Sequence, residues 1–124
     1  MNKDEMKIKG SLNVVIHHAN GDVETRHKDN LILNGGFDYI CAAMADPTRP
    51  AVMGYTAVGT GTTAVDATQT ALVTEIKRKA ASYAHSSGTK LFTLTTTFDA
   101  GEATGAITEA GICNAASGGT FLDR

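Results

Sequence analysis

The sequence predicts an all-β protein, an antiparallel β-sandwich or a jelly-roll-like domain, with one short α-helix near residues 36–45. Three observations support this fold class. Ala, Thr and Gly together occupy 48 of the 124 positions. Thr favours strands, and Gly permits the positive φ that tight turns between strands need. Apolar and polar residues alternate in several short segments. Turns rich in Gly separate these segments, as in small sandwiches and barrels.

The N-terminal part of the chain predicts a β-hairpin. In Lys7–Ile16 the apolar side chains share one parity, at Ile8, Leu12, Val14 and Ile16. Asn20-Gly21 follows and favours a type I′ turn, because both residues tolerate positive φ. The polar segment Val23–Lys28 is then expected to return as an edge strand. A short apolar run, Leu31–Leu33, comes next.

One helix is predicted after this run. Its apolar residues recur at i, i+3, i+4 and i+7, which places one face at Phe37, Ile40, Cys41 and Met44. Asn34 or the glycines after it begin the helix. Asp46-Pro47 ends it, because a residue before Pro is displaced from the α region. Two to three turns are not stable alone, so we expect the helix to pack against one end of the sheet.

The second half of the chain predicts further short strands. Met53–Val58 is a strand that ends at Gly59-Thr60-Gly61-Thr62-Thr63. Leu72–Tyr83 fits either a helix or a strand, and its cations, Lys77-Arg78-Lys79, favour a charged edge strand. Two more strands and the start of a third are expected at Leu91–Phe98, Ile107–Cys113 and Thr120–Leu122.

Size and charge restrict the classes of function. The length is that of one domain, residues 1–124. A formal net charge of −2 removes the usual electrostatic reason for nucleic-acid binding. No apolar run approaches the length of a membrane span, and the first residues do not resemble a signal peptide. We therefore expect a soluble domain that binds neither nucleic acid nor membranes.

Chemically reactive residues do not combine into a predicted active site or metal site. The loop Gly59–Thr63 lacks the Lys-Ser/Thr pair of a Walker phosphate loop. His17 and His18 point to opposite faces of a strand. Asp99 and Glu102 are too few for calcium, which takes six to eight oxygens. The prediction is a protein that is not an enzyme, with no catalytic residues, no cofactor and no metal.

The cysteines and several glycines are expected to be structural. Cys41 and Cys113 lack the spacing of zinc or redox motifs, so they are predicted to be buried thiols. Gly111 lies inside a strand pattern, which indicates a bulge or a close backbone approach. The other glycines with a predicted structural role lie in turns, at Gly59, Gly61, Gly118 and Gly119.

Four segments follow one another in a characteristic order: Asn30–Gly36, Ala57–Thr63, Thr70–Glu75 and Ile107–Thr120. The most specific is the last, in which Glu109-Ala110-Gly111 precedes Asn114-Ala115 and the turn Gly118-Gly119-Thr120. With these segments the chain, from Lys7 onwards, resembles a family of small tailed-bacteriophage virion proteins. Members of that family are variously tail-fibre-like or capsid-decorating.

The resemblance implies a non-enzymatic virion component, assembled in the cytoplasm of the bacterial host. The leading expectation is a capsid decoration (cement) protein bound to the assembled shell. A tail, collar or baseplate/fibre-attachment protein is the alternative, and a small carbohydrate-binding module is a third hypothesis from another class. The expected partners are the major capsid protein or tail proteins. We also expect a homo-oligomer, with a trimer suggested by the three-fold positions common in virions.

The resemblance also makes an expectation about the last residues. Members of the family continue beyond the equivalent of Thr120–Arg124 into one or two further strands. Without such a strand, Thr120, Phe121 and Leu122 would lie at an open sheet edge. An open edge is a template for pairing with another chain, so these three residues are candidate assembly residues.

Overall fold

The computed structural model describes residues 7–124. It confirms the all-β class: every strand pairing is antiparallel, and one helix, α1, spans Asn34–Ala45. The strands are β1 (Gly10–His17), β2 (Val23–Asn30), β3 (Tyr55–Gly59), β4 (Glu75–Ala80), β5 (Ser82–His85), β6 (Phe92–Thr95) and β7 (Glu109–Cys113). They form three small sheets, ordered β1-β2, β4-β3-β7 and β5-β6. A sandwich or jelly-roll arrangement stays a prediction.

The predicted first hairpin is present, but its turn differs from the prediction. β1 and β2 pair from Gly10↔Asn30 to His17↔Val23. The Gly21 N–H donates to the His18 carbonyl at 3.0 Å, and Gly21 alone in this turn has a positive φ, of 93°. Such a loop is a three-residue connection closed by a left-handed glycine, whereas a type I′ turn needs two positive-φ residues. Asn20 instead uses its side-chain oxygen to accept a hydrogen bond from the Asp22 N–H, at 3.0 Å.

The segment 120–124 is an interior part of the central sheet. On one side the Leu122 N–H donates to the Ile112 carbonyl of β7, at 2.8 Å. On the other side the Leu122 carbonyl accepts from the Leu33 N–H at 3.0 Å, and Leu31 and Arg124 exchange backbone hydrogen bonds at 3.0 and 3.1 Å. An open edge was predicted at Thr120, Phe121 and Leu122. This prediction is wrong, because the apolar run 31–33 pairs with the segment on that side.

The hydrophobic core lies where this segment meets the central sheet. Its buried cluster consists of Leu33, Ala57, Leu72, Cys113 and Phe121, with Tyr55 packed against it. Four of these five side chains come from the sheet or from the two segments that extend it, and Leu72 comes from the loop before β4. The core is therefore assembled from residues far apart in sequence.

The helix has the predicted position, but three of the four residues of its predicted apolar face are exposed. Phe37 and Met44 are 46% and 64% exposed, and Cys41 is also exposed. The face towards the protein carries buried Gly36, with half-buried Ile40 and Ala43 one and two turns further on. A Cβ at Gly36 would collide with the Leu122 carbonyl, so the backbone of the helix approaches the sheet directly. This close approach, and not apolar periodicity, determines which face is buried.

The ambiguous segment 72–83 forms strands. β4 lies at the edge of the central sheet, as its cations predicted, and the chain passes through Ala81 into β5. β5 and β6 form a second hairpin, in which Ser82 pairs with Thr95 and His85 with Phe92. No helix among residues 7–124 combines the length and the apolar character that a membrane span requires.

Candidate functional site

A buried carboxylate, Glu109, organises the polar centre of the protein. It begins β7, opposite Gly59 of β3, and its residue is 5% exposed. Oε2 accepts hydrogen bonds from the backbone N–H groups of Gly61 (2.6 Å) and Thr74 (2.8 Å). Oε1 accepts from the Val73 N–H (2.7 Å) and from Nε of Arg124 (3.0 Å). Both oxygens are thus engaged by two donors each.

The packing around this carboxylate leaves no room for a side chain at the two glycines of the loop Gly59–Thr63. A Cβ at Gly59 would collide with the Thr74 carbonyl, and a Cβ at Gly61 would collide with the Glu109 carboxylate. Thr108 secures the loop, since its hydroxyl donates to the Gly61 carbonyl at 2.7 Å. The loop therefore encloses an anion, as phosphate loops do, but the anion is a side chain of the protein itself.

Arg124 is the buried cation of this centre. It is 3% exposed, and its Nη1 donates to Oε1 of Gln69 at 3.0 Å while Nε bonds Glu109. The attraction within a buried ion pair can offset the cost of desolvating both charges when further hydrogen bonds satisfy their remaining donors and acceptors, as they do for this pair. Gln69, Glu109 and Arg124 therefore link the loop before β4, the start of β7 and the last residue of the chain.

The protonation state of Glu109 follows from these contacts. Burial raises the pKa of the carboxyl, but hydrogen bonds from four donors outweigh burial and hold the pKa below its usual range. The donors are the N–H groups of Thr74, Val73 and Gly61 and the guanidinium of Arg124. A general acid or base near neutral pH needs a pKa near that pH and a free lone pair or proton. Glu109 has neither, so its role in this geometry is to hold the loops in place.

A shallow cleft of about 300 Å³ lies over this centre. Its polar lining residues are Lys28, Thr62, Thr63, Thr108, Glu109 and Arg124. Glu109 and Arg124 bind one another and other groups of the polar centre, as described above. The remaining groups offer polar contacts to a ligand but no pairing of a nucleophile with a base.

A second buried carboxylate, Asp123, replaces a backbone acceptor in the sheet. Its Oδ1 accepts a hydrogen bond from the Ile112 N–H of β7 at 3.0 Å. Burial raises the pKa of Asp123, against the opposing effect of hydrogen bonds from Ile112 and Asn30. Gly111 lies beside it, where an added Cβ would be 2.5 Å from the Asp123 carbonyl oxygen. Gly111 thus permits the close backbone approach that its position in a strand predicted.

The cations of β4 are engaged within the protein. The Lys79 ammonium donates to Glu102 at 2.7 Å and to Asp99 at 3.2 Å, and Lys77 lies 3.3 Å from Glu102. The hydrogen bond from Lys79, followed by those from the Asp99 N–H and Lys77, lowers the pKa of Glu102 to about 2. The two carboxylates considered for calcium are therefore partners of lysines.

Arg78, on the opposite face of β4, supports the turn before the last segment. Its guanidinium bonds Glu75 at 2.6 and 2.9 Å and donates to the carbonyls of Ala115 and Gly118, at 2.9 and 2.8 Å. It also lies over the Phe121 ring, 5.1 Å from the centroid, which is a cation–π distance. The turn itself contains Gly118 and Gly119 with φ of 61° and 74°, a conformation that favours glycine.

The histidines and cysteines have separate surroundings in the fold. His18 contacts Glu24 at 3.3 Å, and His27 bonds Asn13 at 2.8 Å. Cys113 is buried as predicted, whereas Cys41 is exposed on α1, because α1 presents a different face to the protein. Among residues 7–124, no three His, Cys, Asp or Glu side chains are grouped closely enough to hold a metal ion.

Sequence reasoning missed the residues of the polar centre. Glu109 lies between Thr108 and Ala110, inside the most specific segment of the resemblance. A carboxylate among the apolar residues of a predicted strand could have indicated a buried, paired charge, because unpaired charges are rarely buried. Arg124 and Asp123 carried no such signal, because their burial depends on pairing with the run 31–33. The predicted glycines are all placed at close approaches or positive-φ turns, as described above.

The exposed apolar side chains concentrate on the two hairpins and on α1. On the β5-β6 hairpin, Tyr83 and Phe92 are 67% and 51% exposed, and their ring centroids lie 6.0 Å apart. Leu91 beside them is exposed too. The β1-β2 hairpin exposes Val15 and Val23. In the part of the chain that the structure describes, neither hairpin receives a third strand.

Comparison with protein-family models, with curated proteins and with solved structures gives no match for this chain.

Proposed function

We propose that the protein is a non-enzymatic structural component of a tailed-bacteriophage virion, a capsid decoration protein bound to the assembled shell. The resemblance of the segments 30–36, 57–63, 70–75 and 107–120 gives the virion setting. The observation that carries the architectural role is the pair of two-stranded hairpins, β1-β2 and β5-β6, which extend a small core and have open edges among residues 7–124.

The physical argument concerns the stability of these hairpins. A two-stranded hairpin alone is marginally stable in water, and a third strand or a packed face is needed to stabilise it. Tyr83, Leu91 and Phe92 form an exposed apolar cluster of the kind found at protein interfaces. Docking of such hairpins on neighbouring shell subunits would supply the missing contacts. Many symmetric copies would then add their modest free energies through avidity.

The polar centre supports a structural role as well. Glu109, Arg124 and Asp123 hold segments distant in sequence together, and within residues 7–124 no buried side-chain nitrogen or oxygen lacks a hydrogen-bond partner. The buried charges of the protein are thus used for its own cohesion. A virion protein of this class needs such cohesion, with its recognition surfaces on the outside.

The direct test is binding of the purified protein to separated heads and tails of the particle. We expect co-sedimentation with heads, and loss of it in the double variant Y83S/F92S. Val52→Ser is the matched control, because Val52 is an exposed apolar residue outside the hairpins. Binding to tails alone would favour the tail, collar or baseplate/fibre-attachment role. The virion role would be refuted if the protein bound neither heads nor tails, or if immunogold labelling of intact particles with an antibody against the protein marked neither of them.

A carbohydrate-binding module is the second candidate, because the adjacent rings of Tyr83 and Phe92 are exposed. Aromatic side chains with a polar handle are suited to amphipathic ligands. Titration with host surface polysaccharide tests it, with heat of binding lost in Tyr83→Ala. Hydrolysis of capsule polysaccharide or peptidoglycan by the purified protein, abolished by one carboxylate substitution, would contradict the non-enzymatic role.

A further inference from the structure

Charges of both signs follow an ordered pattern along β2 and the residue before it. Asp22, Glu24, Arg26 and Lys28 share one parity, so the sequence of charges along one face is acid, acid, base, base. Arg26, Lys28 and Asp22 are exposed and Glu24 is half-buried. Thr25 lies at the centre of the four. The pattern is therefore reversed in sign about Thr25.

The outer edge of β2 offers unpaired backbone groups. The His18 N–H donates to the Asp22 carbonyl at 2.9 Å, which makes His18 and Asp22 a hydrogen-bonded pair. Because such pairs alternate along an antiparallel ladder, the even-numbered residues of β2 direct their N–H and C=O groups to β1. The odd residues Val23, Thr25 and His27 direct theirs outwards, and no strand among residues 7–124 receives them.

We propose that β2 pairs with β2 of a second copy of this chain, antiparallel, about a two-fold axis at Thr25. In this register Thr25 faces Thr25 of the second copy, and Val23 faces its His27, so the outward backbone groups meet. Glu24 then lies opposite Arg26 of the second copy, and Asp22 opposite its Lys28. Each of these two charge pairs occurs twice by symmetry. The two hairpins become one four-stranded sheet, β1-β2-β2-β1.

The charges select this register over its neighbours. A two-fold axis at Glu24 would place two Glu24 carboxylates opposite each other, and an axis at Arg26 would place two Arg26 guanidinium groups opposite each other. Like charges directly opposite in a sheet are destabilising, whereas opposite charges stabilise it. Within its own chain Glu24 already accepts hydrogen bonds from Arg26, at 3.1 and 3.3 Å, and contacts His18 at 3.3 Å. The Thr25 axis adds to these contacts, because it places each of the four charges opposite a charge of the other sign.

The outer edges of β4 and β1 do not carry such a pattern. β4 presents three successive cations, Lys77, Arg78 and Lys79, each also paired with an acid of its own chain, so a two-fold axis within this run would place cations opposite cations. β1 has no Asp, Glu, Lys or Arg between Gly10 and His17. β2 is thus the edge at which a second copy of this chain, and not an arbitrary strand, is electrostatically favoured. The contact is two-fold and gives a dimer, unlike the trimer suggested by the virion setting.

Charge reversal tests the proposal with the purified protein alone, so its outcome is independent of any role in the virion. Sedimentation equilibrium of the unmodified chain should show a monomer–dimer equilibrium that weakens with added salt. Glu24→Arg and Arg26→Glu should each raise the dissociation constant at least about tenfold, which is about 1.4 kcal/mol. Asp38→Arg, a reversal on exposed α1, is the matched control and should leave it unchanged.

The two reversed chains also provide a rescue. A mixture of the Glu24→Arg chain with the Arg26→Glu chain places opposite charges in register again, so an equimolar mixture should form heterodimers. The double variant E24R/R26E should dimerise like the unmodified chain. Monomers in both rescue experiments, with circular dichroism showing folded variants, would overturn the pairing. A chain that stays monomeric at millimolar concentration would also overturn it.

Cross-linking tests the register. Opposed residues of a hydrogen-bonded antiparallel pair have Cα atoms about 5.5 Å apart, within the range of a disulfide. In a Cys41→Ala background, Thr25→Cys should form a disulfide-linked dimer under mild oxidation. His27→Cys alone should not, but should link to Val23→Cys when the two chains are mixed. Equal linking at His27 and Thr25 would contradict this register. If the protein were strictly monomeric and reversal of the β2 charges abolished its binding to the shell, the edge of β2 would bind a shell protein and not a second copy of this chain.

Discussion

Replacement of Glu109 by Gln is the most informative single perturbation of this fold. The side chain keeps its shape, but one of the two acceptor oxygens becomes an NH₂ group. That group would face two hydrogen-bond donors, either the N–H groups of Gly61 and Thr74 or the Val73 N–H and the Arg124 guanidinium. In addition, the Arg124 cation loses its buried counter-ion.

The magnitude follows from these contacts. A buried donor left without an acceptor costs about 1–3 kcal/mol. Removal of one partner from a buried ion pair costs about 3–5 kcal/mol. The two effects share Arg124 and are not additive, so we expect a loss of about 3–5 kcal/mol in the free energy of unfolding. For a domain of this size that loss lowers Tm by roughly 12–20 °C.

Urea denaturation and calorimetry measure the loss, with Asp38→Asn on exposed α1 as the control that should change little. Hydrogen exchange provides the local readout, since the amides of Gly61, Val73 and Thr74 should lose protection in the Gln variant. A loss below about 1 kcal/mol with unchanged protection of these amides would refute the central role of the carboxylate.

The pH dependence of this variant has a definite sign. The folded-state pKa of Glu109 lies below its usual range, so its stabilisation is fully present above the unfolded-state pKa, near about 4.3. The stabilisation is lost as the pH falls through the folded-state pKa. The difference in stability between the unmodified chain and the Gln variant should therefore narrow in acid. A difference that widens in acid would contradict the assigned pKa direction.

Three further outcomes are expected. Gly111→Ala should lose about 1–3 kcal/mol in urea denaturation, because the added Cβ would overlap a backbone carbonyl, whereas Gly54→Ala, with 3.8 Å to its nearest neighbour, should lose little. The Glu102 carboxyl should titrate by NMR with a pKa of about 2. The stabilisation from its contact with Lys79 should be fully present above the unfolded-state pKa and be lost as the pH falls through about 2. A titration midpoint near the ordinary value for Glu would contradict this prediction. Arg78→Met should lose about 1–3 kcal/mol and expose the amides of the turn 114–119 to exchange, and unchanged protection there would show that the guanidinium does not hold the turn.

Local signals in the sequence predicted the elements that depend on local interactions. The helix ends at Ala45, where Asp46-Pro47 required it to end, and the cations of β4 identified an edge strand. The alternation in β1 and the Asn20-Gly21 pair identified the hairpin, although the predicted type of turn was wrong. In each case residues a few positions apart determine the conformation, so one chain contains sufficient information.

The features that sequence reasoning missed depend on contacts between distant residues. Glu109 meets Gly61 across 48 positions and Val73 across 36. The buried face of α1 depends on the approach of Gly36 to Leu122, and the expected open edge at 120–122 was closed by the run 31–33. Periodicity along the chain carries no information about which segment occupies a neighbouring position in a sheet.

The distribution of contacts separates a cohesive core from two hairpins that depend on their own ladders. The core is joined by Glu109, Arg124 and Asp123, which each bridge separate segments, whereas β1-β2 and β5-β6 gain no third strand among residues 7–124. Elements with few tertiary contacts open locally at a lower free energy than the core does. Association at the hairpins can therefore order them without changing the core. In the proposed architectural role this division would be favourable, because the core is held by its own contacts and the hairpins would gain their remaining stability from the partner.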